Sequence, residues 1–300
     1  MDRRMFLQIL AGGAAGSLLS IDKLGAFTLG QAEKVSMSVV KGTDIAATTR
    51  KAVELLGGMG SFVSKGDVVF VKPNISWDRV PEQAATTNPL VVSTVIEMVK
   101  EAGAKKVIVA DNTCNDARRC YKRSGIQDAA KKAGADVGFM EERKFQKVNL
   151  GGEVLKEWEV YRDVIEADKI INIPIAKHHG LSGVTLSMKN LMGLIGGARN
   201  RLHQKLPESC VDLAAYFRPA LNILDANRIL TARGPASGTM KDVKVLDTVA
   251  ASVDPVAIDA FGITLFGKDP AEFEHVRLGA ERGLGTADFL NMGLKEVSLG

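Results

Sequence analysis

Short apolar runs, each closed by a charged or amide side chain, alternate along this chain with segments that carry helix-start and helix-stop signals. Val35 to Val40, Asp67 to Val71, Lys106 to Ala110, Lys169 to Ala176, Leu221 to Asp225 and Val243 to Val253 read as strands. Most of these runs are continuously apolar, as strands covered on both faces are. Between them, Thr43 or Asp44 can cap a helix to Leu56, and Asn88-Pro89 starts another that runs to about Ala102. Ser124-x-x-Gln127 is a capping box, while Asp254-Pro255 and Asp269-Pro270 repeat the cap-plus-proline start. Asp136 to Met140 reads as a further strand, Glu153 to Tyr161 as an antiparallel or edge strand, and Val184 to Leu194 as a helix. The alternation predicts an α/β fold, with a mostly parallel sheet covered by helices on both faces, in one domain or two lobes.

The N-terminus follows a different pattern. Arg3-Arg4 precede Met5-Phe6-Leu7 and an apolar, small-residue run from Ile9 to Leu19, which resembles a twin-arginine export signal. We therefore expect residues 1–32 to be an export signal, residues 33–300 the α/β domain, and the location periplasmic or otherwise exported. The run falls short of the ~20 apolar residues that a spanning helix needs, so no stable membrane span is expected beyond the signal. Composition adds little to this picture: of 300 residues 46% are hydrophobic and 25% charged, an ordinary globular balance. A net charge of only +4 and an aromatic content of 5% argue against a nucleic-acid partner. In an exported chain Cys114 and Cys120 are close enough in sequence to pair, leaving Cys210 over. The absence of any Cys-x-x-Cys argues against an intrinsic iron–sulfur cluster.

Candidate chemistry lies where the strands end, since ligands of open α/β sheets bind beyond the carboxyl ends of the strands. Those ends carry Lys72-Pro73-Asn74, Asp111-Asn112, Lys177-His178-His179 and Asp225. From Lys169 to Pro207 there is no acidic residue, but there are six lysines or arginines and three of the four histidines. A lysine or histidine freed from water can move protons or act as a nucleophile. Lys72, Asn74, Lys177, His178, Lys189, Asn190, Asp225 and Asp259 are therefore the catalytic candidates. Lys189 and Asn190 sit among apolar neighbours and call for partners, and a lysine of the basic stretch is the expected partner of Asp259. His179, Gly193, Arg199 and Arg201 are the candidates for holding an anion, through charge and close backbone approach. For a metal, Asp225, Asp254 and His178 are the residues left open, although no His-x-x-x-His or His-x-His pair occurs.

Taken together, Lys72-Pro73-Asn74, Lys177-His178, Thr185 through Lys189-Asn190 and Gly193, Leu224-Asp225, Gly234-Pro235 with Gly238, and Asp254-Pro255-Val256-Ala257 with Asp259 resemble the DUF362 family. The resemblance implies an α/β fold and leaves the reaction undefined. Some members of that family carry a ferredoxin-like [4Fe–4S] segment whose cysteines are missing here, which leaves a separate redox partner as an open question. The expected function is an exported enzyme acting on or with a small anionic ligand in a Lys/His/Asn/Asp-lined pocket at the strand ends. The alternatives are a non-catalytic periplasmic binding protein for an anionic solute or cofactor, and a scaffold whose polar cluster is a buried salt-bridge network.

Overall fold

A computed structural model describes residues 35–300, so the expected export signal lies outside the described residues. In chain order the elements are β1 Met37–Lys41, α1 Ile45–Glu54, β2 Val68–Pro73, α2 Pro89–Glu101, β3 Lys106–Val109, α3 Ala117–Arg123, α4 Ile126–Lys132 and β4 Asp136–Val137. Next come β5 Phe145–Asn149, β6 Glu157–Tyr161, α5 Arg162–Ile165, β7 Lys169–Ile173, β8 Ile175–His179, β9 Gly183–Thr185 and α6 Ser187–Asn190. The chain continues through α7 Leu206–Phe217, β10 Leu221–Leu230, β11 Val243–Ser252, α8 Pro255–Thr264, α9 Glu274–Glu281 and β12 Leu294–Ser298.

Ten strands form one mixed sheet in the order β12-β1-β11-β10-β7-β2-β3-β4, with β8 and β9 branching from β10. Most of the pairings are parallel; β1 with β11, β10 with β11 and β8 with β9 are antiparallel. Alternate residues of the central strands enter two separate cores. Val69, Val71, Ile171 and Ile223 pack towards α1, α2 and α4, whereas Phe70, Ile170 and Leu224 pack towards α7, α8 and α9. Each such side chain, wholly buried, is worth roughly 1.5–3 kcal/mol. The sheet is thus covered on both faces, as the unbroken apolar runs require. A separate two-stranded sheet pairs β5 with β6 antiparallel, in agreement with the charged–apolar alternation around Trp158.

Helix starts follow local chemistry. Asp44, Asn88 and Asp254 accept from backbone N–H groups of the turns they cap. Two expectations fail. Ser124 does not form the capping box with Gln127: the residue flanking α4 is Gly125 with φ of 72°, and the Ser124 hydroxyl donates to the Tyr121 carbonyl at 3.2 Å and accepts from Ile126 N at 3.4 Å. Val184 to Leu194 is not a single helix: Gly183 has φ of +74°, Val184 and Thr185 stay in β9, and α6 begins only at Ser187.

The feature that makes the site is a split in the sheet. Strand β2 stays paired with β7 up to Pro73 opposite Ile173. Pro174 then interrupts the ladder, its carbonyl accepting from Asp225 N at 2.8 Å, and the chain resumes as β8 along β10. A proline has no N–H to donate to a ladder, so this is where the strand can change neighbours. Beyond Pro73, polar side chains from β2, β3 and β8 occupy the gap.

Candidate functional site

Two lysines lie inside this gap, one wholly buried and the other 1% exposed, a costly arrangement unless each is satisfied. Lys72, at the end of β2, has its Nζ 2.9 Å from Asp111 Oδ1, and it donates to the Pro73 carbonyl at 2.7 Å and to Asn190 Oδ1 at 3.2 Å. Asp111 follows β3 and also accepts from Ile75 N at 2.6 Å and from the Ser76 hydroxyl at 3.3 Å. Lys177, on β8, donates to Asn74 Oδ1 at 3.0 Å and to the Ala85 carbonyl at 2.5 Å. Asn74 passes the chain on to Asn190 Oδ1 at 3.0 Å, and Asn190 donates to Asn172 Oδ1 at 2.8 Å. Burial lowers the pKa of Lys72 against the opposing pull of Asp111. Lys177 has no carboxylate among these partners; burial first, then the nearby Lys189 charge, lower it to about 7. Gly193 crosses directly over the ion pair, where a Cβ would overlap the Asp111 carboxylate and crowd Lys72.

Outside this buried layer lies a cavity of about 540 Å³. Lys177, His179, Lys189, Arg199 and His203 contribute to its wall, and among the described residues no Asp or Glu does. Lys189 lies on α6, whose first N–H groups are held by a carboxylate from α8. Asp259 accepts from Ser187 N at 2.6 Å and from Met188 N at 3.2 Å. A four-residue helix gains its fixed direction from this external cap. The Lys189 amine itself has no hydrogen-bond or ion-pair partner among the described residues, and burial is the leading cause that lowers its pKa. Arg199 is held by the Asn112 and Thr113 carbonyls at 2.8 and 2.9 Å, neutral partners that leave its charge unmatched. His179 accepts at Nδ1 from Leu181 N at 3.2 Å and from Ser182 N at 3.3 Å, which assigns its proton to Nε2. Burial, then Lys189 and Lys177, lower its pKa to about 3, so the ring is neutral. It stacks on His203 with ring centroids 6.2 Å apart.

The fold therefore brings Lys72, Asn74, Lys177, His179, Lys189, Asn190, Gly193 and Arg199 together. It leaves out several other candidates. His178 points away and accepts at Nδ1 from Gly234 N at 3.1 Å. Arg201 is exposed and does not line the cavity. Asp225 accepts from Asn88 N at 2.7 Å and from Asn227, within β10 rather than at the cavity, and burial raises its pKa. Asp254 caps α8 and receives Thr286 N at 2.9 Å. Asp225, Asp254 and His178 thus face separate partners, and among the described residues no three His, Cys, Asp or Glu converge to hold a metal ion. Among the described residues Asp259 meets no lysine; its charged neighbour is His275 Nε2 at 3.5 Å. Cys114 and Cys120 are free thiols, one exposed and one buried.

Sequence reasoning passed over Asn172, His275 and Cys114 as site residues. Asn172 had a signal, being an amide in the middle of an apolar strand. Cys114 and His275 had none, because one lies in a loop and the other on an otherwise exposed amphipathic helix.

Residues 69–264 match the family described as a domain of unknown function, DUF362. The chain belongs to the DUF362 family. The matched segment runs from β2 to the end of α8 and contains every described residue of the cavity wall. Among its relatives is a thylakoid-associated protein of Synechocystis sp., sll1697, 29% identical over 233 residues that cover 75% of this DUF362 chain and 71% of the relative. Among solved structures, the lactate racemase apoprotein from Thermoanaerobacterium thermosaccharolyticum aligns with a TM-score of 0.46 at 12% identity, over 77% of this chain and 57% of that one. A protein from Thermotoga maritima aligns with a TM-score of 0.37 at 13% identity, over 79% of this chain and 58% of that one.

Proposed function

We propose that this DUF362 protein binds a small organic anion in the cavity at the split of the sheet, with Arg199 facing the anionic group and Lys189 elsewhere on the same wall. One observation carries the reading: the wall brings three cationic side chains and two histidines together without a single carboxylate among the described residues. A cavity of about 540 Å³ also falls in the range that metabolite-sized ligands occupy. The buried Lys72–Asp111 pair lies behind this wall as support, and the Lys189 amine, without a partner among the described residues, argues against a scaffold role in which all charge is internally matched. Enzymatic rather than passive binding is favoured by one group set for proton transfer near neutral pH, Lys177 with its pKa at about 7. The test is a melting-temperature screen of carboxylates and phosphate esters on the purified protein, repeated with Lys189→Met. Anions that raise the midpoint of the wild type and not of the variant support the reading. A flat response across the screen refutes it.

We also propose that the protein works outside the cytoplasm. The support is the Arg3-Arg4 signal pattern, and the thylakoid association of the Synechocystis relative is in keeping with a membrane-adjacent setting. Replacing Arg3 and Arg4 with lysine and following the protein by cell fractionation tests this. Unchanged location in the variant overturns the twin-arginine assignment.

A further inference from the structure

We propose that Lys189 is an imine-forming lysine, condensing its amine with the carbonyl group of a 2-oxo acid seated in the cation-rich cavity. The proposal rests on the anion-binding reading above and goes beyond it, since it assigns a covalent step and a substrate class.

The three lysines of the site differ in what their amines already do. Lys72 is committed to Asp111, the Pro73 carbonyl and Asn190, and Lys177 to Asn74 and the Ala85 carbonyl. Lys189 alone presents an amine with no partner among the described residues. It is also reachable from two sides: a second cavity of about 270 Å³ shares Lys189 and Leu181 with the first. An amine between two cavities leaves room for both substituents of a carbonyl carbon. Its backbone is fixed by Asp259 through Ser187 N and Met188 N, while its neighbour Asn190 is locked to Asn74, Asn172 and Lys72. A nucleophile on so rigid a base keeps its aim.

The electrostatics suit the same step. An imine forms only from the neutral amine, and a carboxylate beside Lys189 would hold it as ammonium. Among the described residues no carboxylate lines the larger cavity, while Glu272 and Glu274 line the smaller one, and Arg199 remains to take the carboxylate of a 2-oxo acid. The conversion balances without an oxidant or reductant. The amine nitrogen bonds to the carbonyl carbon, one amine proton moves to the carbonyl oxygen, and the second leaves with that oxygen as water when the carbon–nitrogen double bond forms. His179, whose Nδ1 is occupied by Leu181 N and Ser182 N, can only donate from Nε2, so the ring offers a neutral hydrogen bond and the protons pass through water.

The experiment uses the purified protein, 2-oxobutyrate as probe, sodium cyanoborohydride as trap, and butyrate as the matched acid without a carbonyl. Intact mass and peptide mapping read the result. The proposal expects one reduced adduct per chain on the peptide containing Lys189, suppressed by excess butyrate and lost in Lys189→Arg. Because mapping on the wild type locates the adduct directly, a variant that folds poorly does not decide the matter. Adducts scattered over exposed lysines, with no preference for Lys189, overturn the proposal. A butyrate-induced rise in melting temperature without any adduct overturns the imine and leaves the anion site standing. Neither a shift nor an adduct removes both.

Discussion

Replacing Asp111 with asparagine keeps the side chain's shape and removes its charge, stranding Lys72 where neither residue exceeds 2% exposure. The other Lys72 partners, the Pro73 carbonyl at 2.7 Å and Asn190 Oδ1 at 3.2 Å, are neutral and cannot replace the lost charge. Breaking one side of a buried pair costs roughly 3–5 kcal/mol. Lys72 already has a lowered pKa through burial, so in the variant it can shed its proton and escape part of that cost. The expected loss is therefore near the lower end, about 3 kcal/mol at neutral pH, or about a hundredfold in the folding constant. With a urea dependence of roughly 3 kcal/mol/M, the unfolding midpoint should fall by about 1 M. Urea titration followed by far-ultraviolet circular dichroism measures this directly. The double variant Lys72→Met with Asp111→Asn has no stranded charge and should recover at least about 1 kcal/mol of the loss. The single variant should also gain on the wild type as pH rises, because the folded lysine gives up its proton at lower pH than the unfolded one. An Asp111→Asn protein within about 0.5 kcal/mol of wild type, or a double variant no more stable than the single one, would refute a paired, charged Lys72.

Three further outcomes follow from the same geometry. Asp259→Ala removes the acceptor of Ser187 N and Met188 N, and should cost about 2 kcal/mol in thermal or urea denaturation while weakening anion binding, since α6 carries both Lys189 and Asn190. Lys177 titrates at about 7 when folded and near 10.4 when unfolded, so the unfolded chain binds the extra proton between those values. Its contribution to stability should therefore rise with pH across that window, by up to about 1.4 kcal/mol per pH unit, and the slope should disappear in Lys177→Met when urea midpoints are compared across pH. Iodoacetamide should label Cys114 first, because it is exposed on the cavity wall, whereas burial raises the Cys120 and Cys210 thiols to about 11 and 12; a bound anion should slow that labelling, as read by mass spectrometry.

Much of the fold was legible because the strands are apolar runs with polar ends, and β2, β3 and β7 form where those runs occur. The residues at those ends also pointed to the site, since Lys72, Asn74 and Asp111, at or just past the ends of β2 and β3, meet Lys177 of β8. What stayed hidden depends on contacts between distant segments. An extended chain turns successive side chains to opposite sides, so of His178 and His179 only one can face the cavity, and nothing local says which. The packing of β8 along β10 turns His179 inward and leaves His178 against Gly234. Asp259 looked like a lysine's partner because sequence shows charges and not backbone amides. In the folded chain it anchors a helix end 72 positions away. The break of Val184 to Leu194 into β9, α6 and a tighter turn was equally unavailable, because Asp259 supplies the cap from outside the segment.

The small β5–β6 sheet has a consequence for how occupancy of the site can be watched. Trp158 on β6 donates its indole N–H to the Gly196 carbonyl at 2.9 Å, and Gly196 N returns a bond to Glu159 O at 2.8 Å, just before the turn that carries Arg199. Trp77 stands on the cavity wall itself. These are the chain's two tryptophans. One therefore senses the ligand space and the other the loop that positions Arg199, so the intrinsic emission of the unlabelled protein is a built-in optical gauge of the cavity.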